Sequence, residues 1–395
     1  MIRTTSQIFH GLGFYWARQC NMYNIMPYSI SDIPSLNDKP EQKHEKWMAW
    51  LALEIQKRAL LGHYIVDGLI AQASGNPTSI RHVTNHVPLP ADDHIFEAKV
   101  VDDWIIQVRD QYQNTLVFRE VYVSLFNRTS TSATQHLSRF SIWVVLEGLQ
   151  SLVSDNNDAS GFSVGIPSQS DIRQALLQLY QGHIHSSQLS IDDVRDVMIR
   201  WHSICLHTAV STQVLALQIC NDFSVIQDLY SDSPNMASHL DINAWTKTVD
   251  ARRALLHAMA IYEIIEQLPF SRTHAIHIPS AIFAAATVYA AFHIMQASKI
   301  LPPQPTDWSE VLNFHQEGDQ TDRRGLADTT IREYLAGSIK PDLLSSTRRT
   351  PLDDLNRLQV FMMSIAPVSL IAKEMALILS RWINLSALGT GAIRR

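Results

Sequence analysis

The 16 prolines of this chain fall in clusters and leave three long runs free of them, 91–166, 168–233 and 235–268. Within those runs apolar residues recur every three or four positions rather than every second one, the spacing of a helix with one buried face. Proline lacks an amide donor and breaks helix interiors, so its absence over such lengths permits long helices. The expected fold class is all-α, a multi-helix bundle. Helix starts are also legible. Ser190-Ile-Asp-Asp193 and Thr330-Ile-Arg-Glu333 set a capping hydroxyl three residues before an acid, and Pro279 stands where a first turn accepts it. Breaks are predicted at Ser29–Pro40, Gly75–Asp93, Ser154–Ser168 and Leu301–Asp328. The third has the strongest linker composition. It either divides two lobes, 1–153 and 168–395, joined by a flexible loop, or is a surface loop within one helical body spanning 1–395. No internal repeat of fixed period is present.

Hydrophobic residues make up 46% and charged residues 18% of the 395, which excludes intrinsic disorder and predicts a packed core. The formal net charge is -6, and basic residues occur as scattered pairs such as Arg252/Arg253, Arg323/Arg324 and Arg348/Arg349. No basic face suited to a DNA duplex follows from them. Three cysteines, Cys20, Cys205 and Cys220, are too few and too dispersed for a disulfide framework or a zinc knuckle, which points to a reducing interior, cytosol or nucleus. The first residues lack the apolar core of a secretory signal. The most membrane-like run, Ala281–Phe292, is shorter than the roughly 20 residues a span requires, so it reads as a buried helix and no membrane is expected among the partners.

Residues 47–69 carry the sharpest physical signal. Trp47, Trp50, Leu51, Glu54, Arg58, Leu61, Ile65 and Leu69 fall within about 60° of one helical face at roughly 100° per residue. Glu54 and Arg58 therefore lie inside an apolar stripe. On a solvated face such an i, i+4 pair contributes only about 0.2–0.5 kcal/mol. In a core it must be mutually paired, and removing one partner is expected to cost about 3–5 kcal/mol.

The string Trp47-Met-Ala-Trp50-Leu-Ala-Leu-Glu54-Ile-Gln-Lys57-Arg58, followed by Tyr64-Ile-Val-Asp67, resembles the signature helix of the fungal-specific transcription factor domain. Ser74-Gly75-Asn76-Pro77, then Val87-Pro-Leu-Pro90-Ala-Asp-Asp93-His-Ile-Phe96-Glu97-Ala98 and Trp104, resemble its Pro-Leu-Pro and acidic-aromatic continuation. Trp201-His202-Ser203-Ile204-Cys205-Leu206, Arg252-Arg253-Ala-Leu-Leu-His257 and Ala275-Ile276-His277-Ile278-Pro279 extend the similarity, from about Phe14 to about Ile294. The branch it resembles usually carries two-cysteine two-histidine zinc fingers. The resemblance implies a regulatory region acting on RNA polymerase II transcription in the nucleus, with Trp47, Trp50, Glu54, Arg58 and Asp67 as structural signature. It implies transcriptional regulatory proteins as partners, and DNA bound through a zinc-containing domain upstream of these residues. No DNA-binding residue, metal ligand or cofactor is assigned within this chain, and a small-molecule effector remains open.

Other constellations compete with that reading. Asp92-Asp93-His-Ile-Phe-Glu97 and Asn221-Asp222-Phe-Ser-Val-Ile-Gln-Asp228 invite comparison with helical metal-dependent enzymes of terpene synthase type, whose magnesium ligands recur at i, i+4 and i+8. Here the offsets from Asn221 are three and seven, and Asp92 and Asp93 follow Pro88-Leu-Pro90, where a loop or a helix start is expected. The close histidine pairs His82/His86, His183/His185 and His202/His207 have no cysteine partners and no His-Glu-x-x-His frame, so no metal site is expected. Gly11-Leu-Gly13 and Gly389-Thr-Gly391 do not make a phosphate loop, and no nucleophile elbow occurs. No catalytic residue is therefore nominated, and a non-DNA-binding helical scaffold is the remaining alternative. Met198, Trp201, Cys205, Thr208, Thr212, Leu215 and Ile219 form one apolar stripe with His202 at its edge. Trp245, Val249, Arg253, Leu256, Ala260 and Ile264 form another, with His257 four residues from Arg253. His202, Arg253 and His257 either line an internal effector cavity or are buried polar groups that fix helix register.

Overall fold

Side-chain caps written in the sequence open several helices of the computed structural model, which describes residues 2–25, 28–74, 77–111, 117–127, 137–158, 165–185, 189–230, 240–295, 306–314, 330–338 and 350–387. The pairs Arg323/Arg324 and Arg348/Arg349, the Gly389-Thr-Gly391 sequence and the middle of the Ser154–Ser168 break lie outside these residues. The chain opens with α1 (Ile2–Gln19) and turns at Asn21, whose φ of 58° is left-handed. It then runs through α2 (Pro40–Ser74), with proline in the first turn where its amide is not needed. Three short helices follow: α3 (Asp93–Phe96), α4 (Val101–Gln111) and α5 (Phe118–Ser124). Next, α6 (Arg139–Asp158) continues four residues past the predicted break at Ser154, because Leu149, Leu152 and Val153 are drawn into the core and carry the helix onward.

Beyond it, Ser168 and Asp171 form a capping box for α7 (Gln169–Leu179), which relaxes into one π-helical turn at Tyr180–Ile184. Ser190 accepts the Asp193 amide to open α8 (Ile191–His207), and Ser211 accepts the Val214 amide to open α9 (Thr212–Asp222). The two are bent by 64°. The stripe from Met198 to Ile219 is thus broken at residues 208–211, where the Thr208 hydroxyl donates to the Cys205 carbonyl and Ser211 caps anew. The second stripe is broken likewise, since α10 (Ile242–Trp245) ends before Thr248 caps α11 (Val249–Glu266). The remaining helices are α12 (Ile278–Ile294), with Pro279 in its first turn, α13 (Trp308–Asn313), α14 (Thr330–Ala336), α15 (Pro351–Ile365) and α16 (Leu370–Ala387). No β-strand occurs among the described residues; Pro88 and Val117 make an isolated antiparallel bridge.

Two large apolar cores meet along α8. On one side Val197, Trp201, Ile204 and Cys205 pack with α2, α5, α6 and α7. On the other, Ile199 and Leu206 join α9, α11, α12, α15 and α16. The first core contains Leu149 and Val153 before the predicted break and Ile172 and Leu176 after it. Ala281–Phe292 is buried on every side within the second, its alanines admitting close neighbours. No single helix among the described residues is long and apolar enough to cross a membrane. A smaller cluster joins Trp50 of α2 to Ile95, Trp104, Ile105 and Val108.

On α6, Gly148 lets two aromatic rings of α5 approach: an added Cβ would stand 2.9 Å from Phe118 Cζ and 2.9 Å from Tyr122 Cε2. Around Gly11 on α1, among the described residues, only Ser79 comes near, at 3.7 Å. Urea denaturation should therefore show Gly148→Ala losing about 1–3 kcal/mol by overpacking, and Gly11→Ala gaining about 0.5–1 kcal/mol from a stiffer unfolded chain.

Candidate functional site

Polar groups inside this apolar body form a chain of buried clusters, beginning on α2. The Glu54 carboxylate is 1% exposed. It accepts from Arg58 Nε at 3.3 Å, Lys57 Nζ at 3.2 Å and the Ala91 amide at 2.8 Å. Arg58 in turn donates to Asp93 Oδ1 at 2.8 Å and to the Ala91 carbonyl at 2.7 Å, and its guanidinium lies 4.1 Å over the Phe96 ring. The acidic-aromatic segment 91–96 is thus the partner of the signature helix. Trp50 is buried beside Trp104, with ring centroids 5.6 Å apart, and Trp47 packs half-buried against the same cluster.

Further along α2 lies Asp67, on a second buried stripe with Leu60, Tyr64 and Ala71. Its oxygens accept the Ser79 amide at 3.1 and 3.0 Å, with His82 Nε2 at 3.5 Å and His10 Nε2 at 3.7 Å. Burial favours the neutral acid, but bonds from His82 and Ser79 outweigh it and hold the carboxyl below its ordinary value. His10 and His63 each bond the other's carbonyl, at 3.2 and 3.0 Å, tying α1 to α2.

At the far end of α2 the deepest charges meet. Arg200 of α8 donates through Nε to Glu147 Oε1 at 2.7 Å and through Nη2 to Oε2 at 2.6 Å, with side chains 1% and 0% exposed. Its Nη1 donates to Gln72 of α2, which in turn donates to Ser203 Oγ at 3.1 Å. His207, on the same helix as Arg200, bonds Thr212 Oγ1 at 2.8 Å. Gly68 makes this convergence possible: a Cβ there would stand 2.3 Å from Glu147 Oε2 and 3.2 Å from Glu147 Cβ.

The last cluster contains His202, Arg253 and His257. The two histidines meet through Nδ1 at 3.0 Å. Burial pushes His202 down to about 3 and His257 well below its ordinary value, the latter lowered further by His202 and Arg253. Both are neutral, so one Nδ1 donates and the other accepts. The space beside them is taken by Trp308 of α13, stacked on His257 at 4.8 Å and edge-on to His202 at 4.5 Å. Arg253 donates to the Val311 carbonyl at 2.9 Å, the Phe314 carbonyl at 2.8 Å and the Asp250 carboxylate. The neighbouring Arg252 donates to the Leu335 carbonyl at 2.8 Å, so this basic pair draws both α13 and α14 onto α11.

Residues 15–192 match the fungal specific transcription factor domain, and this span holds Trp50, Glu54, Arg58, the 91–96 partner segment and Asp67. Over that span, somewhat less than half of its length, the chain is similar to this family. A nicotinate catabolism cluster-specific transcription factor of Emericella nidulans is 22% identical over 353 residues, which cover 82% of this chain and 40% of that protein. The chain thus spans less than half the length of that relative. No solved structure matches it. The family match stops within the first turn of α8, so the resemblance carried by Trp201–Leu206, Arg252–His257 and Ala275–Pro279 lies beyond it.

The acids that suggested diphosphate chemistry have neighbours of their own, both in the matched span and in the helices after it. Asp93 begins α3 and pairs with Arg58, and Asp222 at the end of α9 accepts from Gln218. Among the described residues no three His, Cys, Asp or Glu side chains come together in a way that could hold a metal ion. Sequence reasoning missed Gly68, Gln72, Glu147 and Arg200. The signal for Glu147 was present, a lone acid inside the apolar run Ile142–Val153.

Two measurements follow from this geometry. Replacing Glu147 by Gln leaves Arg200 charged where it cannot reach water, and should cost about 3–5 kcal/mol. Replacing Glu54 by Gln frees Arg58 and Lys57, which are 14% and 15% exposed and can hydrate; the expected loss is about 1–3 kcal/mol. Equal losses in chemical denaturation would contradict the assignment of Glu147 as the deeper charge. The buried histidines set a pH dependence as well. His202 and His207 both lie near 3 in the folded chain against an ordinary 6.5, lowered by burial and, for His207, by Arg200. The unfolded chain therefore binds more protons below pH 6.5, and stability must fall as pH drops through that value toward 3, by up to about 1.4 kcal/mol per pH unit for each histidine. Between pH 6.5 and 5, His207→Gln should show a shallower slope than the natural chain.

Proposed function

We propose that residues 1–395 form a non-catalytic regulatory region that acts in the nucleus on RNA polymerase II transcription by binding transcriptional regulatory proteins. DNA recognition is supplied by a zinc-finger domain outside these residues, with zinc as that domain's cofactor. The observation that carries this reading is the match over 15–192, supported by the way Glu54 and Arg58 hold the 91–96 segment. The bundle gives regulation a physical basis. Its helices are joined by polar clusters that are satisfied in one arrangement, and a partner that favours another arrangement shifts the population toward it.

The test is a fusion of residues 1–395 to a foreign DNA-binding domain above a reporter gene. The intact fusion should change reporter output, and Trp50→Ala should reduce the change by removing a buried indole, a substitution that costs about 3–5 kcal/mol. A stably expressed, nuclear fusion with no effect on the reporter would favour a helical scaffold without a transcriptional role.

A further inference from the structure

The slot beneath α13 is filled by the chain itself in a way that resembles a bound ligand. Trp308 lies flat on His257, with 17° between the rings, and faces Trp201 at 6.0 Å. From the same segment, the Val311 and Phe314 carbonyls sit on the Arg253 guanidinium. One flat ring and two oxygen acceptors thus meet an aromatic slot floored by cations. The charges below do not balance. Among the described residues Arg253 and Arg173 share one carboxylate, Asp250, which lies 3.4 Å from Arg173 Nη1 and is 46% exposed. Arg173 Nε and His257 Nε2 are buried without a hydrogen-bond partner among the described residues. Carbonyl dipoles offset a buried guanidinium only in part, and the adjacent histidines are neutral.

We propose that this slot binds a planar aromatic carboxylate in competition with α13, the ring replacing Trp308 and the carboxylate bridging Arg253 and Arg173. Bonds from guanidinium to an ionised acceptor are roughly twice as strong as those to a neutral one, so the exchange favours an anion. The site names an effector class for the regulatory region and rests on that reading for its purpose, although its binding is measured separately. Isothermal titration of the full chain with indole-3-acetate, and with neutral indole-3-acetamide, tests it. The acetate should bind roughly tenfold more tightly than the amide, and Trp308→Ala should tighten the acetate by a further factor of roughly ten. Among the described residues the hydrogen-bond partner of Arg173 is Asp250, itself 46% exposed, so Arg173→Gln should abolish the preference for the acid while leaving the circular dichroism spectrum unchanged. Equal affinity for acid and amide, or no binding of the acetate to either the natural chain or Trp308→Ala, overturns the proposal. Should Trp308→Ala fail to fold, the acid-to-amide ratio on the natural chain decides alone. Selective binding alongside a silent reporter fusion would retain the site and remove the regulatory reading; an active fusion that binds neither probe would do the reverse.

Discussion

The Glu147–Arg200 pair is the interaction on which the arrangement of the central helices turns. Taking two ions out of water carries a penalty of several kcal/mol each, offset only by near-ideal geometry and by partners for the remaining donors. Both conditions are met: two bonds of 2.7 and 2.6 Å join carboxylate to guanidinium, and Gln72 takes the third direction. These demands fix α2, α6 and α8 relative to one another, because a slip of one residue along any of them strands a charge. They also dictate a glycine at position 68, since no side chain fits between α2 and that carboxylate. Glu147 lies inside the span matching the transcription factor domain and Arg200 lies after it, so the same pair locks the recognised segment to the helices that follow.

Much of the architecture was readable from spacing alone. The absence of proline and the three-to-four residue rhythm identify helices because burial of one face is a local, periodic property. The same rhythm placed Glu54 and Arg58 on an inward surface. It did not show that Ala91, Asp93 and Phe96 complete their shell, since the path of the loop through Pro88-Leu-Pro90 is decided by tertiary packing. Nor did it show the second buried stripe of α2, Leu60, Tyr64, Asp67 and Ala71, which exists because α1 and the loop at residues 79–82 cover a side that a simple amphipathic helix would leave to solvent. The stripes assigned across residues 208–211 and 246–248 failed for a related reason. A side-chain oxygen that caps a new helix interrupts one without glycine or proline, and the apolar pattern runs on through the break.

Charged and polar residues carry most of the specificity in a body whose apolar contacts are interchangeable in kind. Alanines and leucines around α12 admit several packings of similar quality, whereas Asp67, Glu147, Asp196 and Arg253 each accept one set of partners. Asp196 shows the pattern in small: burial opposes its ionisation, but His277 and Arg139, at 3.2 and 2.6 Å, hold it charged and fasten α8 to two other elements. Positions of this type distinguish one native bundle from its near neighbours.

The length of α2 has a mechanical consequence. Glu54, gripping the 91–96 segment, and Gly68, wedged against α6, stand 14 residues apart on one uninterrupted rod, a lever arm of about 21 Å at roughly 1.5 Å per residue. With its fulcrum at the glycine, a tilt of only ~4° would carry the carboxylate end through about 1.5 Å, enough to rupture a hydrogen bond there. A small torque at the surface near Trp47 is thereby amplified or resisted as a whole-body rotation, rather than dissipated in local bending.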